Sequence, residues 1–240
     1  MKLVDMHCHV LPGVDDGARN MEQAISMIKI ASEENIGTMV LTPHFHPAKG
    51  NQDIAFWKET LKQLEEKTKE IGIEMQFYLG SELFYNHDLP DAIDNGLAIS
   101  MSDSDYVLME FRFESEYSYI KSALRDVQAT GKRVILAHVE RYDCLIGRDD
   151  RIEELSASGA YIQVNASSVT GELGKPIKKF VKKLMKADLI DFIATDAHSD
   201  GRRAPRMKEC YAYVVKKFGQ DYADRLMINN ALKIVNNQDI

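Results

Sequence analysis

Two histidines one residue apart open the chain, in VDMHCHVLPGVDDG, and paired aspartates follow: His7, His9, Asp15 and Asp16. A strand sends residues i and i+2 to the same face, so His7 and His9 point together. Two such rings repel when protonated. When neutral, each offers a lone pair and together they attract a divalent metal. The same spacing returns near the other end, as Asp196 and His198 in DFIATDAH. Between these pairs stand His44, Glu82, Glu110 and His138, in TPH, GSE, MEF and AHVERY. With Asp16, the candidates are His7, His9, Asp16, His44, Glu82, Glu110, His138, Asp196 and His198. One ion cannot use so many ligands, whereas two or three can, with a carboxylate bridging them.

The elements that must hold these groups alternate along the chain. Strands are expected at 3–9, 37–44, 74–83, 106–111, 133–139, 161–167 and 191–198, with 97–100 as a short extra one. Helical spacing of apolar residues marks 21–35, 54–71, 119–131, 150–159, 174–188, 204–219 and 221–235, and 84–105 reads as irregular. Apolar strands separated by helices indicate a parallel sheet covered by helices. An open nucleotide-binding sheet would carry GxGxxG after its first strand, but here the turn is LPGVDDG. A closed α/β barrel remains. The strand-borne candidates sit at the C-terminal ends of their strands, the rim at which a β/α barrel gathers its chemistry. Asp16, in the loop after the first strand, folds over the same mouth.

The plainer reading of any single strand-end histidine is a hydrogen-bonded structural role, and Glu110 alone could be a paired core acid. Independent structural uses at so many successive strand ends are a poorer account than one shared site. His46 lies farther into its loop and reads as solvated or supporting, and His87 falls in the irregular stretch and is assigned no role. Mixed imidazole and carboxylate ligands suit Mn²⁺, Fe²⁺ or Zn²⁺. No thiolate is required, so Cys8 is expected in the core, facing away from His7 and His9. Four carboxylates against three divalent ions leave the cluster cationic and attractive to a dianionic phosphate.

Composition narrows the function classes. The 240 residues are 45% apolar and 28% charged, as in a folded soluble chain, and a length ordinary for one barrel domain over 1–240. A formal charge of −7 argues against a general nucleic-acid binder. Cys8, Cys144 and Cys210 are scattered singly, which fits a reducing cytoplasm. No secretory leader or transmembrane segment is expected.

In order and spacing from Val4 to about Met207, the series VDMHCH, VDDG, TPH, GSE, MEF, AHVERY and TDAH resembles the polymerase and histidinol phosphatase (PHP) family. More narrowly, HxHxLPGVDDG, AHVERY and the DAH–RR ending resemble the bacterial metal-dependent tyrosine-protein phosphatases of capsule and exopolysaccharide operons. The resemblance implies a distorted (β/α)7 barrel with three divalent ions, Mn²⁺ first among them and Fe²⁺ or Zn²⁺ as alternatives. His7, His9, Glu82 and Asp196 would hold one ion. Glu82 would bridge to a second, shared with Glu110 and His138. Asp16, His44 and His198 would hold the third. Arg141, in AHVERY, would bind phosphoryl oxygens, as would an arginine of SDGRRAPR, with Arg203 the first choice of register and Arg202 the alternative.

The reaction expected of such a site is attack of a metal-bridged hydroxide on phosphorus, in line with the leaving oxygen. A tyrosine phenolate, of pKa ~10, is a fair leaving group. The expected partner is a phosphotyrosine protein, such as the tail of a bacterial tyrosine kinase that controls polysaccharide synthesis. The cysteine route to the same hydrolysis needs CxxxxxR, but Val14, Asp150 and Lys216 stand where the arginine would. The alternative within the fold is a phosphatase of histidinol phosphate or another small phosphomonoester. An amidohydrolase would use a lysine on the fourth strand, where Glu110 stands instead. Tyr85, Phe84, Phe111, Phe113 and Tyr117 lie just past strand ends, either as packing for a phenyl ring or as loop core. The lysines of KPIKKFVKKLMK line the face opposite Ile177, Phe180, Val181 and Leu184, a face that is either simply solvated or docks an anionic surface.

Overall fold

Runs of buried, β-branched and aliphatic residues form the strands, and a computed structural model describes residues 1–47 and 53–240 of the chain. Strand β1 (Leu3–Cys8) is buried along its whole length, as is β2 (Ile36–Leu41). Helix α1 (Met21–Glu33) lies between them in sequence; the Asn20 side chain accepts a hydrogen bond from the Gln23 N–H and caps it. Its Ala24, Met27, Ile28 and Ala31 form the buried stripe. Helix α2 (Ile54–Glu70) is capped by Asp53 and buries Trp57 and Leu64.

Two of the expected strands break where their backbone cannot continue the ladder. The strand read at 37–44 becomes β2 and a two-residue β3 (His44–Phe45), interrupted at Thr42 and Pro43. Pro43 has no N–H to give to a neighbouring strand. The strand read at 74–83 becomes β4 (Gln76–Leu79) and β5 (Glu82–Phe84), interrupted at Gly80 and Ser81. A side chain at Gly80 would meet the Met101 sulfur at 2.9 Å. The stretch 97–100 forms no strand: Leu97 is exposed, and the segment follows the short helix α3 (Leu89–Asp94) as irregular chain.

The remaining elements are β6 (Tyr106–Glu110), α4 (Tyr117–Gln128), β7 (Arg133–Leu136), α5 (Asp149–Ala157), β8 (Tyr161–Asn165), α6 (Ala166–Thr170), α7 (Lys175–Lys186), β9 (Phe192–Ala194), α8 (Lys208–Phe218), α9 (Gln220–Asp224) and α10 (Asn230–Val235). A π-helical stretch, Arg225–Asn229, joins the last two, where one helix was expected. Among the described residues no helix is long and apolar enough to cross a membrane.

All strand pairings are parallel, in the orders β1-β2-β4 and β3-β5-β6-β7-β8-β9. The sheet curls until its last strand meets its first. Cys8 bridges Ala197, the Asp196 N–H donates to the His7 carbonyl, and the His9 N–H donates to the Ala197 carbonyl, both at 2.8 Å. Buried Asp5 reinforces this contact by accepting hydrogen bonds from the Thr195 N–H (2.9 Å) and hydroxyl (2.5 Å). Cys8 is fully buried, with its thiol toward the Val40 carbonyl, as expected of a core residue. In α7 the buried face is Phe180, Val181, Leu184 and Met185, with Ile177 half-buried.

Candidate metal centre

Strand pairing delivers the first two ligand candidates side by side, because His44 and Glu82 are register partners at the starts of β3 and β5. They open short strand segments rather than ending the longer ones read from the sequence. His7 lies within β1, and His9 just past it. Glu110 ends β6. His138 follows β7, and Asp196 and His198 follow β9. His138 and Asp196 take positive φ, 34° and 53°. Side-chain-bearing residues seldom adopt that region, and it turns both side chains inward at a cost of order 1–3 kcal/mol each.

Glu82 is the hub. Its Oε1 lies 3.2 Å from His7 Nε2 and 2.9 Å from His138 Nε2, and its Oε2 lies 3.2 Å from His9 Nε2 and 3.1 Å from His44 Nδ1. Both oxygens thus stand between two imidazoles, the arrangement of a bridging carboxylate. Glu110 reaches His44 Nδ1 at 2.9 Å and His138 Nε2 at 3.7 Å. Asp16 reaches His44 Nε2 at 3.3 Å and His198 Nε2 at 3.5 Å. Donors sharing an ion at about 2.1 Å are separated by roughly 3.0–3.4 Å in octahedral or tetrahedral geometry. The observed spacings straddle that range, and the donor chemistry fits divalent ions. Three candidate clusters emerge: His7, His9 and Glu82; His44, Glu82 and Glu110; and His9, Asp16, His44 and His198. His9 and His44 each belong to two of them, so the ligand sets overlap more than the grouping expected from the resemblance.

Asp196 divides its two oxygens. Oδ2 receives the Arg141 guanidinium at 3.1 Å, the Arg203 guanidinium at 2.9 Å and the Asn165 amide at 2.8 Å. Oδ1 faces His7, His9 and His198 at 3.4–3.7 Å. One oxygen is held by donors and the other is presented to the cluster. Arg203 also donates to the Asp196 carbonyl at 3.1 Å. Arg202, the alternative in register, is exposed and, among the described residues, makes no hydrogen bond or ion pair with Asp196. Arg141 lies 4.2 Å over the Phe113 ring, which fixes the plane of its fork.

Three orienting residues were not identified from the sequence. Asp15 Oδ2 sits 2.7 Å from His9 Nδ1 and also accepts the His44 N–H, while its Oδ1 accepts the Gly17 N–H. A carboxylate behind a ligating histidine fixes the ring and raises its basicity. Gln163 Oε1 lies 3.1 Å from His7 Nδ1 and accepts the His138 N–H, and its amide donates to Asn165. The i, i+2 pair Gln163 and Asn165, polar within the apolar strand YIQVN, was the available signal; strand β8 supplies no ligand candidate and supports those of its neighbours instead.

Histidines and carboxylates shift one another's ionisation across the cluster. Burial works against charged histidines, but the hydrogen bonds they donate to carboxylates outweigh it: His9 is held up at about 9 by Asp15 and Glu82, His44 at about 11 by Asp16 and Glu110, and His138 at about 10 by Glu110 and Glu82. His198, buried beside His9, is pushed down to about 3. Glu82 is buried too, yet the surrounding histidines pull it well below the usual carboxylate range.

The aromatic residues separate. Tyr85 and Phe111 are core, Tyr117 hydrogen-bonds Glu154 on the outer helices, and Phe113 stands at the site, against Arg141 and His138. His46 stacks on Phe84, and His87 lies by Tyr85 and Tyr119. Beside Asp196 opens a cavity of about 240 Å³, lined in part by Arg141, Asn165, Arg202, Arg203 and Arg206.

The loop that brings Asp15 and Asp16 to the site depends on Gly17. A Cβ there would stand 2.1 Å from the His9 carbonyl oxygen and 2.5 Å from the His9 Cβ. Gly17→Ala should therefore displace the loop from the end of the first strand. The expected result is activity reduced on the order of tenfold to a hundredfold, from ångström-scale misplacement, with a lowered melting temperature, because the atoms met belong to the backbone and Cβ of buried His9 and cannot swing aside. Wild-type activity would show that the loop does not position the site.

A curled parallel sheet that gathers histidines and carboxylates within bonding reach of one another is a scaffold suited to a metal-dependent hydrolase. The chain belongs to the CpsB/CapC family of capsular polysaccharide synthesis, whose family model matches residues 3–236. It is 29% identical to the tyrosine-protein phosphatase CpsB of Streptococcus pneumoniae, over 98% of this chain and 99% of that one. A crystal structure reported for YwqE from Bacillus subtilis and CpsB from Streptococcus pneumoniae, described as metal-dependent tyrosine phosphatases, matches with a TM-score of 0.92 at 30% identity, over 99% and 96% of the two chains. Histidinol phosphate phosphatase from Lactococcus lactis shares the fold, with a TM-score of 0.60 at 12% identity over 90% and 93% of the chains.

Proposed function

We propose that this protein is a metal-dependent protein-tyrosine phosphatase, acting on a phosphotyrosine protein such as the tail of a bacterial tyrosine kinase in polysaccharide synthesis. The observation that carries the reading is the junction at Asp196, where one carboxylate joins the histidine cluster to Arg141 and Arg203. Counting β2 with β3 and β4 with β5 as two broken strands, the whole chain reads as one distorted (β/α)7 barrel domain with the site on its C-terminal rim. Its ligand set is His7, His9, Asp16, His44, Glu82, Glu110, His138, Asp196 and His198, sized for three divalent ions, with Mn²⁺ the first choice.

Ions held there would supply Lewis acidity and bring the pKa of bound water down toward neutrality. The chain's own groups do the rest. Glu82 keeps two ligand clusters at a fixed separation. Asp15 and Gln163 hold His9 and His7 in orientation. Arg141 and Arg203, fixed by Asp196 and Phe113, present guanidinium donors to the equatorial phosphoryl oxygens as charge builds on them. Phe113 gives the substrate's phenyl ring an apolar edge at the mouth. The fair leaving ability of a phenolate makes a dedicated general acid less critical.

The test is competition between a phosphotyrosine peptide and histidinol phosphate at equal concentration, with metal analysis alongside. A higher kcat/KM for the phosphotyrosine peptide is expected. A clear preference for histidinol phosphate would reduce the reading to a small-molecule phosphatase of the same fold.

A further inference from the structure

The cavity beside Asp196 carries two arginines beyond the pair that Asp196 holds. Four arginines line it, Arg141, Arg202, Arg203 and Arg206, against two carboxylates, Asp196 and Glu172. Arg141 and Arg203 are engaged with Asp196. Among the described residues, the guanidiniums of Arg202 and Arg206 make no hydrogen bond or ion pair. Both are exposed, yet the segment bearing them is pinned. The Arg203 carbonyl accepts the His198 N–H at 2.9 Å, Ala204 and Pro205 are buried, and the Met207 N–H donates to Glu34 at 3.1 Å. Two unneutralised cations are thus held at the edge of the phosphoryl position on an anchored segment.

We infer that Arg202 and Arg206 form a second anion subsite, which takes an acidic group of the same peptide within a few residues of the phosphotyrosine. A carboxylate side chain and a second phosphoryl group share the required chemistry. Leu173, exposed in the lining of the same cavity, offers the intervening chain an apolar contact. Glu172 repels an anion that approaches from its side and so restricts the direction of entry. The inference rests on the phosphotyrosine reading and adds to it a preference for acidic sequence context.

The experiment compares phosphotyrosine peptides of equal length, with neutral, glutamate or lysine flanks, on the metal-loaded enzyme. The glutamate peptide is expected to show a KM lower than the neutral one by roughly threefold to tenfold at an unchanged kcat, an advantage that shrinks as salt rises. Arg206→Glu should invert the order in favour of the lysine peptide while retaining turnover of the neutral peptide. Melting temperature and metal content verify that the variant is folded. A doubly phosphorylated peptide assigns the source: a KM below that of the glutamate peptide selects phosphoryl, and an equal or higher one selects carboxylate. Equal KM values for all the peptides, or an acidic advantage that survives Arg206→Glu combined with Arg202→Gln, overturn the subsite. If an aryl phosphate is hydrolysed and no phosphotyrosine peptide is, the substrate reading fails on its own. The same peptides then serve as inhibitors of aryl phosphate hydrolysis. Stronger inhibition by the acidic peptide sustains the subsite, and equal inhibition overturns it.

Discussion

Arg141→Ala is expected to keep its metal ions and lose turnover. The side chain donates to Asp196 Oδ2, but that oxygen also holds Arg203 and Asn165, so Asp196 stays in place when one of three donors is removed. What disappears is an oriented cation, stacked on Phe113, at the proposed phosphoryl position. Removing a donor of this kind from a preorganised site typically costs roughly a hundredfold to a thousandfold in kcat. Arg141→Lys should recover only part of this, because an ammonium lacks the planar fork that grips two oxygens. The measurement is kcat with a phosphotyrosine peptide alongside metal content by elemental analysis. Metal loss in step with activity would make the arginine a structural support of Asp196 and remove it from the chemistry.

His7→Ala should remove activity and metal together. His7 is fully buried, 3.2 Å from Glu82 and 3.3 Å from the His9 ring nitrogen, with Gln163 behind it. Replacing it deletes a proposed ligand from the cluster around Glu82 and leaves that carboxylate short of a buried partner, so ions held there would lose affinity. Chelation of the unmodified protein should likewise abolish turnover, and Mn²⁺ should restore it. His87→Ala, at an exposed position by Tyr85 and Tyr119, is the control and should retain both metal and activity. Full activity in a chelated, metal-free sample would end the metal mechanism.

The sequence alone was enough for the candidate donor types and for the kind of scaffold. Alternating apolar strands and amphipathic helices imply a parallel sheet under helices, and the pairs His7/His9 and Asp196/His198 reveal a shared face through the two-residue period of a strand. Those signals are local, carried by residue type and spacing within a few positions. Tertiary structure decided the matters that depend on long-range approach. Pro43 and Gly80 broke two strands, and the short segments after the breaks placed His44 and Glu82 in register. The choice of Arg203 over Arg202 at Asp196 came from the course of the chain after β9, which leaves neighbouring arginines with different surroundings. The supporting roles of Asp15, Gln163 and Asn165 exist only where separate strand ends meet, as do the shared memberships of His9 and His44 in two donor clusters. The physical reason is one of range. Strand and helix periods fix which way a side chain leaves its own element, whereas donor distances of about 3 Å depend on how all the elements pack together.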